Sequence, residues 1–453
     1  MRLNNRLAEP ASDKPGFPPL LQRFWIALLA MTAVAAAYSL VLQRLLRTPG
    51  PYGLTSLSMF GVHCWDLAVF QERFLEFRKP GFWLEMNYPF TYPAPVGVIF
   101  GLLYKMPHPL KIYLATLVLA LALWAWLVAR ALAARGLSHV RSLAFILTVL
   151  FTAWPVAVLL GMANIEGLLA IVIAGGVWAV LRQRWWLAAT LIGLAGSIKF
   201  YPFVLLGLLL SRRRYKEFAW ALVAAGLITL ASVAILGPTV MQAQHHVDDG
   251  LLFVKQQLVL RLWLPGLQFN HSLFESVKWG VIALDRHLHP FAGPVITPMG
   301  MPRTPHEERV LEWTLRAYMI AVAALGVFLY FWKIRTLPML NQLFALTICG
   351  VLLPPLSSDY TLVQLLVPLG LLCVYTAEQW QNGMVVAGLA SCFVCFAFIF
   401  PVGTYFKFQY QMSSQVRTIA LMALLAAVLR HPFRWRMMDH EDQADARRSV
   451  KIA

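Results

Sequence analysis

The stretch that decides the fold is residues 186–210, WLAATLIGLAGSIKFYPFVLLGLLL, in which Lys199 is the single charged residue. Its length suffices for one helix across about 30 Å of hydrocarbon. Basic clusters at 182–184 and 212–216 flank both ends, and such clusters stay on the cytoplasmic side of a membrane. A single crossing would place one cluster on the wrong side. Because Pro202 also interrupts the helix, the sequence predicts a hairpin of two half-helices with Lys199 at its tip, near the outer leaflet.

The composition extends a membrane assignment to the whole chain. Of 453 residues, 59% are hydrophobic and only 13% are charged, against about 25% charged in soluble domains. Runs of about 20 apolar residues recur, and no alternating strand pattern accompanies them, so the spans are predicted to be helices. We therefore expect an all-α polytopic membrane protein with about 10–12 transmembrane helices.

The net charge of +17 is distributed over short basic clusters between the apolar runs. This pattern argues against nucleic acid as a partner and predicts that both ends of the chain are cytoplasmic. Part of the excess charge is suited to anionic membrane lipid. We expect residues 1–430 to form one transmembrane domain of a multi-pass protein in the cell (inner or plasma) membrane, and 431–453 a cytoplasmic tail. The predicted spans are 24–43, 112–129, 142–160, 167–181, 217–236, 316–332, 339–354, 361–377, 384–402 and 412–429.

Two long external loops follow from this topology. Residues 45–111 form the first, and the short apolar stretch 93–104 within it is predicted to be a juxtamembrane helix. Residues 237–315 form the second, which is too long for a simple connection and is predicted to be functional or a partial lid.

Few polar residues remain to carry chemistry. Asp66 follows the first span, where a carboxylate in a partly apolar cleft suits general-base activation of a hydroxyl, although a helix cap or an ion pair with Arg73 would also account for it. Lys199 lies at a depth where a cation is costly, which favours binding of an anionic ligand such as a lipid phosphate. Asn164 and Glu166 fit either turn chemistry or a site. Asp359 is interpreted as a helix N-cap.

Signatures of nucleotide, hydrolytic or metal chemistry are missing from the sequence. No P-loop, GxGxxG, G-x-S-x-G or H-E-x-x-H motif occurs, and His245, His246, Asp248 and Asp249 lack a fixed ligand spacing. We expect no cofactor and no metal.

Several segments together form a more specific pattern. In chain order they are Asp66, Tyr88-Pro89-Phe90-Thr91-Tyr92-Pro93-Ala94-Pro95, the turn Gly161-Met162-Ala163-Asn164, Lys199-Phe200-Tyr201-Pro202 and Asn270-His271-Ser272-Leu273. This order, over roughly residues 20 to 370, resembles glycosyltransferase family 87, the polyprenyl-phosphate-mannose-dependent alpha-mannosyltransferase-like members of the GT-C superfamily. The chain departs from that family at Met162, where glutamine is frequent, and at Tyr360, where histidine is frequent.

The resemblance implies a GT-C-like bundle and a hexosyltransferase. Such an enzyme transfers mannose or another hexose, with inversion, from a polyprenyl-monophosphate donor to a glycolipid or glycan acceptor on the extracytoplasmic face. It implies that Asp66 is the catalytic base. It assigns the donor phosphate to Lys199, Tyr201, His271 and Tyr360. It assigns the acceptor or sugar to Tyr88, Tyr92, Asn164, Glu166, Asn270 and Asp359.

Two other classes of function compete with this interpretation. Broken helices with a charge inside the membrane also occur in secondary transporters, but no inverted repeat is visible here. A lipid-linked glycan polymerase or ligase would be expected to carry paired arginines in its external loops.

Overall fold

The computed structural model describes residues 22, 23, 25, 26, 30, 67, 91–237, 239–262, 270–288, 305–378 and 413–433. All regular elements in these ranges are helical, and one isolated β-bridge joins Asn270 to Ser358. The α-helices are α1 (Ala94–Tyr104), α2 (Pro109–Ala133), α3 (His139–Thr152), α4 (Trp154–Met162), α5 (Glu166–Leu181), α6 (Trp185–Ile198), α7 (Gly207–Ser211), α8 (Tyr215–Leu236), α9 (Val240–Phe253), α10 (Leu273–Leu288), α11 (Pro305–Trp332), α12 (Met339–Leu352), α13 (Leu366–Glu378) and α14 (Ser413–Arg430). Short 3₁₀ helices cover Tyr201–Leu206, Ile334–Thr336 and Asp359–Leu365.

Three described helices are long and apolar enough to cross a membrane. They are Pro109–Ala133, Tyr215–Leu236 and His306–Thr336, and they coincide with the predicted spans 112–129, 217–236 and 316–332. The prediction of an all-α membrane protein is thus confirmed. The predicted spans 384–402 and, apart from isolated helical positions, 24–43 lie outside the described residues.

The predicted span 142–160 is not straight. It is divided into α3 and α4, which meet at an angle of 59°. Ala153 has an extended backbone with φ −70° and ψ 110°, and Pro155 follows in the first turn of α4. A proline has no N–H for the preceding turn and disfavours helical geometry in the residue before it, so one of its usual places is near the start of a helix.

The remaining predicted spans among the described residues also correspond to helices. Span 167–181 corresponds to α5 with 16 residues, and span 339–354 corresponds to α12 with 14 residues. Span 361–377 begins as a 3₁₀ helix before α13, and span 412–429 corresponds to α14.

The hairpin at 186–210 is present as a broken helix pair. Helix α6 ends at Ile198, and Lys199 takes an extended conformation with φ −147° and ψ 147°. The second arm, the 3₁₀ helix Tyr201–Leu206 with α7, returns along the first, so that the Arg214 guanidinium lies 4.9 Å from the Trp185 ring centroid. The two flanking basic clusters are therefore neighbours in space, as the charge argument requires.

A glycine in the first arm of the hairpin makes room for a ring of the second arm. A Cβ atom at Gly196 would lie 2.4 Å from Cε1 of Phe203, so a larger residue here would force the ring to shift. The hairpin also packs closely on its neighbour, since a Cβ at Gly193 would lie 2.5 Å from the carbonyl oxygen of Ala221 in α8.

The predicted juxtamembrane stretch 93–104 is a helix, as expected. It is α1, with 11 residues, which begins after Pro93 and packs against α8.

The region 237–315 contains more helix than a connecting loop would. It includes α9, a π-helical turn at Val254–Val259, α10 and the start of α11. The end of the π turn is fixed by the buried Lys278, whose Nζ donates to the carbonyl oxygens of Val259 and Arg261, each at 3.0 Å. Glu275 pairs with the same ammonium at 2.8 Å.

Candidate active site

The tip of the hairpin is built around a buried carboxylate. Glu166, the first residue of α5, is fully buried. Its Oε1 lies 2.7 Å from Nζ of Lys199, and its Oε2 accepts from the Tyr201 hydroxyl at 2.6 Å and from Nε2 of Gln364 at 2.8 Å. Two of these donors belong to the hairpin and the third to the 3₁₀ helix at 359–365, so the carboxylate joins both of these elements to α5.

The turn before α5 explains how Glu166 is placed. Ala163 has a left-handed backbone with φ 50°, and Oδ1 of Asn164 accepts from the Glu166 backbone N–H at 3.0 Å. The Asn164 side chain also donates to the Tyr92 hydroxyl at 2.9 Å, and the Tyr113 hydroxyl donates to its backbone carbonyl. Asn164 therefore shapes the turn and links it to the segment before α1.

Two aromatic rings flank the Lys199 ammonium. Its Nζ lies 5.7 Å from the Tyr92 ring centroid and 5.5 Å from that of Tyr360, distances at which a cation is attracted to an aromatic face. Four residues from three separate parts of the chain thus meet at the tip of the hairpin: Tyr92, Lys199, Tyr201 and Tyr360. All four were singled out by the sequence.

A cavity of about 810 Å³ opens beside this cluster. Its polar end carries Tyr92, Lys199, Tyr201 and Tyr360. Its apolar wall is formed mainly by the second arm of the hairpin, the end of α9, the π turn, α11 and the C-terminal end of α12. The wall includes Val204, Leu210, Leu251, Leu258, Met319, Val322, Val327, Leu346 and Leu353. The cavity therefore suits an amphiphile with one anionic end and a hydrocarbon body.

A second polar cluster lies behind Tyr360 and is buried. Oδ2 of Asp359 accepts from Arg417 NH1 at 2.5 Å and from the Trp154 indole at 2.8 Å. Asp359 Oδ1 lies 3.5 Å from His271 Nδ1. The N-cap of the 3₁₀ helix is Ser358 and Asp359 is the first residue inside it, so the N-cap interpretation of Asp359 was wrong.

Burial decides the state of His271 in this cluster. Burial is the largest influence and lowers the pKa of His271, although Asp359 acts in the opposite direction. Its Nε2 lies 3.1 Å from the Ser357 hydroxyl. A neutral imidazole beside the Asp359–Arg417 ion pair can orient hydrogen bonds, but it supplies little positive charge for a phosphate.

Asn270 lies in the same buried region. Its Nδ2 donates to Glu275 at 2.9 Å, and its Oδ1 accepts from the backbone N–H groups of Ser357 and Ser272. Neither Asn270, His271 nor Asp359 lines the cavity, whereas Tyr360 does. The structure thus divides the predicted site residues into two groups, one at the cavity and one behind it.

Two predicted residues, Asp66 and Tyr88, lie outside the described residues. Gln364 was not singled out by the sequence, although it belongs to the site. A signal was available, because a glutamine inside the apolar run 361–377 needs a hydrogen-bond partner in lipid. Across the described ranges, no group of three His, Cys, Asp or Glu side chains is arranged to hold a metal ion.

The described part of the chain is thus that of an all-helical membrane protein whose cavity joins a mostly apolar lining to one lysine. The family model of glycosyltransferase family 87 matches residues 90–248, which run from the segment before α1 into α9 and include Lys199 and Glu166. This match confirms the resemblance to glycosyltransferase family 87 over those residues and supports a glycosyltransferase role. No curated protein matches the chain.

Proposed function

We propose that this protein is a membrane hexosyltransferase that uses a polyprenyl-monophosphate-linked sugar, mannose or another hexose, as its donor. The cavity at the tip of the hairpin is the observation that carries this proposal. The apolar wall of this cavity ends at Lys199, whose ammonium is flanked by the rings of Tyr92 and Tyr360. A polyprenyl phosphate has the same division between hydrocarbon and anion.

The apolar wall contacts the hydrocarbon chain of such a donor. Burial of hydrocarbon contributes about 0.8 kcal/mol per CH₂ group relative to water. A chain already dissolved in the bilayer gains less, since lipid is also apolar, so the wall chiefly selects and orients the chain. The charged end then fixes the position of the phosphate at Lys199.

The chemistry requires little beyond positioning, positive charge and a base. The acceptor hydroxyl oxygen attacks the anomeric carbon from the face opposite the phosphate, and the bond between that carbon and the phosphate oxygen breaks. The anomeric configuration is inverted, polyprenyl phosphate leaves as a stable anion, and the hydroxyl proton passes to a base. Asp66 is our candidate for that base, and the extracytoplasmic face of the cell membrane is our candidate location.

The acceptor is proposed to be a glycolipid or glycan. Tyr92 and Tyr360 at the polar end present aromatic faces and hydroxyl groups near Lys199. Such groups suit sugar rings, which have apolar faces and hydroxyl edges.

The test is direct transfer. Purified protein in detergent is incubated with a series of polyprenyl-phosphate hexoses and a membrane glycolipid extract, and the conversion of donor to polyprenyl phosphate is followed by mass spectrometry. We expect donor consumption by the wild type and much slower consumption by Lys199→Ala at the same donor concentration. If a sugar diphosphate-lipid or a nucleotide sugar is consumed instead, the proposed donor class is wrong.

A further inference from the structure

The Lys199–Glu166 pair presents only one partner to the cavity. Glu166 is 0% exposed, whereas the Lys199 side chain is 19% exposed and lines the cavity wall. A ligand in the cavity therefore reaches the ammonium and not the carboxylate. An ammonium carries three N–H donors and can contact more than one acceptor, so a phosphate in the cavity would meet Lys199 with the Glu166 carboxylate on its buried side.

The Glu166 carboxylate nevertheless changes the electrostatic energy of an anion bound at Lys199. With Nζ and Oε1 2.7 Å apart, the pair carries no net charge. Tyr201 and Gln364 hold the carboxylate in place by two further hydrogen bonds, so it cannot swing away when a ligand binds without breaking them. A phosphate at Lys199 is thus attracted by the near cation and repelled by a fixed anion slightly farther away.

The repulsion from Glu166 acts more strongly on the product than on the donor, because the two differ in charge. Under the proposed function, on which this inference rests, the donor is a phosphodiester with one negative charge. The product is a phosphate monoester with about −1.5 to −2 charges at neutral pH. A lysine without its carboxylate partner would therefore bind the product more tightly than the donor and slow its release.

We propose that Glu166 is a specificity-determining residue that weakens the binding of the more anionic product at Lys199. Two unit charges about 6 Å apart in a partly buried site interact strongly enough to change an affinity by about 10-fold to 100-fold. The Coulomb energy between the carboxylate and the ligand is proportional to the ligand charge. If removal of the carboxylate tightens the binding of a monoanion by a given factor, it should therefore tighten the binding of a dianion by about the square of that factor.

The experiment uses three soluble farnesyl ligands and the full-length protein in detergent micelles at pH 8. They are farnesyl phosphate, its methyl diester and farnesol, with charges of about −2, −1 and 0 at that pH. Binding is measured by calorimetry for the wild type and for Glu166→Gln. We expect Glu166→Gln to bind farnesyl phosphate about 100-fold and the diester about 10-fold more tightly, with farnesol unchanged.

Gln364→Leu is the matched control, because it removes a hydrogen bond to the same carboxylate without changing charge, and Gln364 does not line the cavity. It should alter the three affinities alike. If Glu166→Gln also alters them alike, or weakens phosphate binding while farnesol is unaffected, Glu166 is a structural support and the inference is overturned. If the wild type itself binds farnesyl phosphate no better than farnesol, the proposed function fails and the inference with it.

A second pair of variants covers the case in which Glu166→Gln does not fold. Lys199→Gln retains the buried carboxylate, and the double variant Lys199→Gln/Glu166→Gln removes both charges. Farnesyl phosphate affinity should rise by about 10-fold or more from the single to the double variant, while farnesol affinity stays constant. Equal phosphate affinities in these two variants would overturn the inference without reference to Glu166→Gln.

Discussion

Replacement of Lys199 by alanine is the sharpest test of the donor site. The change removes the cation at the polar end of the cavity and takes away the ion pair of the buried Glu166 carboxylate, which keeps its hydrogen bonds from Tyr201 and Gln364. A hydrogen bond to a charged group contributes about 1.5–3 kcal/mol. This corresponds to a loss of donor affinity of about 10-fold to 150-fold.

The assay separates binding from folding. Donor KM and kcat are measured by mass spectrometry, and the thermal unfolding midpoint is recorded in the same detergent. Lys199→Arg should fall between alanine and the wild type, since a planar guanidinium does not replace a point charge in the same space. Lysine substitution also leaves a buried carboxylate less well paired, so some loss of stability is expected alongside the loss of binding.

Lys255 offers a matched control on the same protein. It forms an ion pair with Glu312 at 3.1 Å, but both side chains are more than a third exposed and neither lines the cavity. Lys255→Ala should change stability by about 0–1 kcal/mol and leave donor KM unchanged. Wild-type donor KM in Lys199→Ala would refute the phosphate assignment and return this lysine to a purely structural role.

Three further predictions concern other parts of the molecule. Asp66→Asn should lower transfer by about 100-fold or more while donor binding persists, as loss of a general base commonly does; near-normal turnover would place the base elsewhere. Arg417→Met should lower the free energy of unfolding, measured with denaturant, by about 3–5 kcal/mol, because it leaves the buried Asp359 carboxylate without its ion-pair partner. Adding Asp359→Asn should restore most of that loss. Single cysteines at positions 183 and 213, in a protein without its native cysteines, should be labelled from the same side of the membrane; labelling from opposite sides would disprove the hairpin topology.

The hairpin could be predicted because its evidence is local. Pro202, Lys199 and the two flanking basic clusters lie within about 35 residues, and charge placement together with proline geometry allows few alternatives. The helices α2, α8 and α11 were likewise evident, since continuous apolar runs of this length indicate a membrane span without reference to packing.

The partners within the site could not be predicted in the same way. Glu166 and Lys199 are 33 positions apart, and Glu166 and Gln364 are 198 apart, so their contacts depend on how α5, the hairpin and the later 3₁₀ helix pack. Asp359 was misinterpreted for a related reason. An aspartate near a helix start fits an N-cap by local rules, but its ion pair with Arg417 is 58 residues away.

The hydrogen bonds of Glu166 also have a consequence for the order of assembly. Helices α5 and α6 are consecutive, so the Glu166–Lys199 contact closes a short loop and becomes available soon after both helices are inserted. Gln364 and Tyr360 enter only when a much later part of the chain has been synthesised, and Arg417 follows them. Contacts between distant segments form late in folding, and multi-helix chains acquire structure from the N-terminus during synthesis. The cation and its carboxylate would therefore pair early, whereas the polar end of the cavity would be completed among the last events of biogenesis.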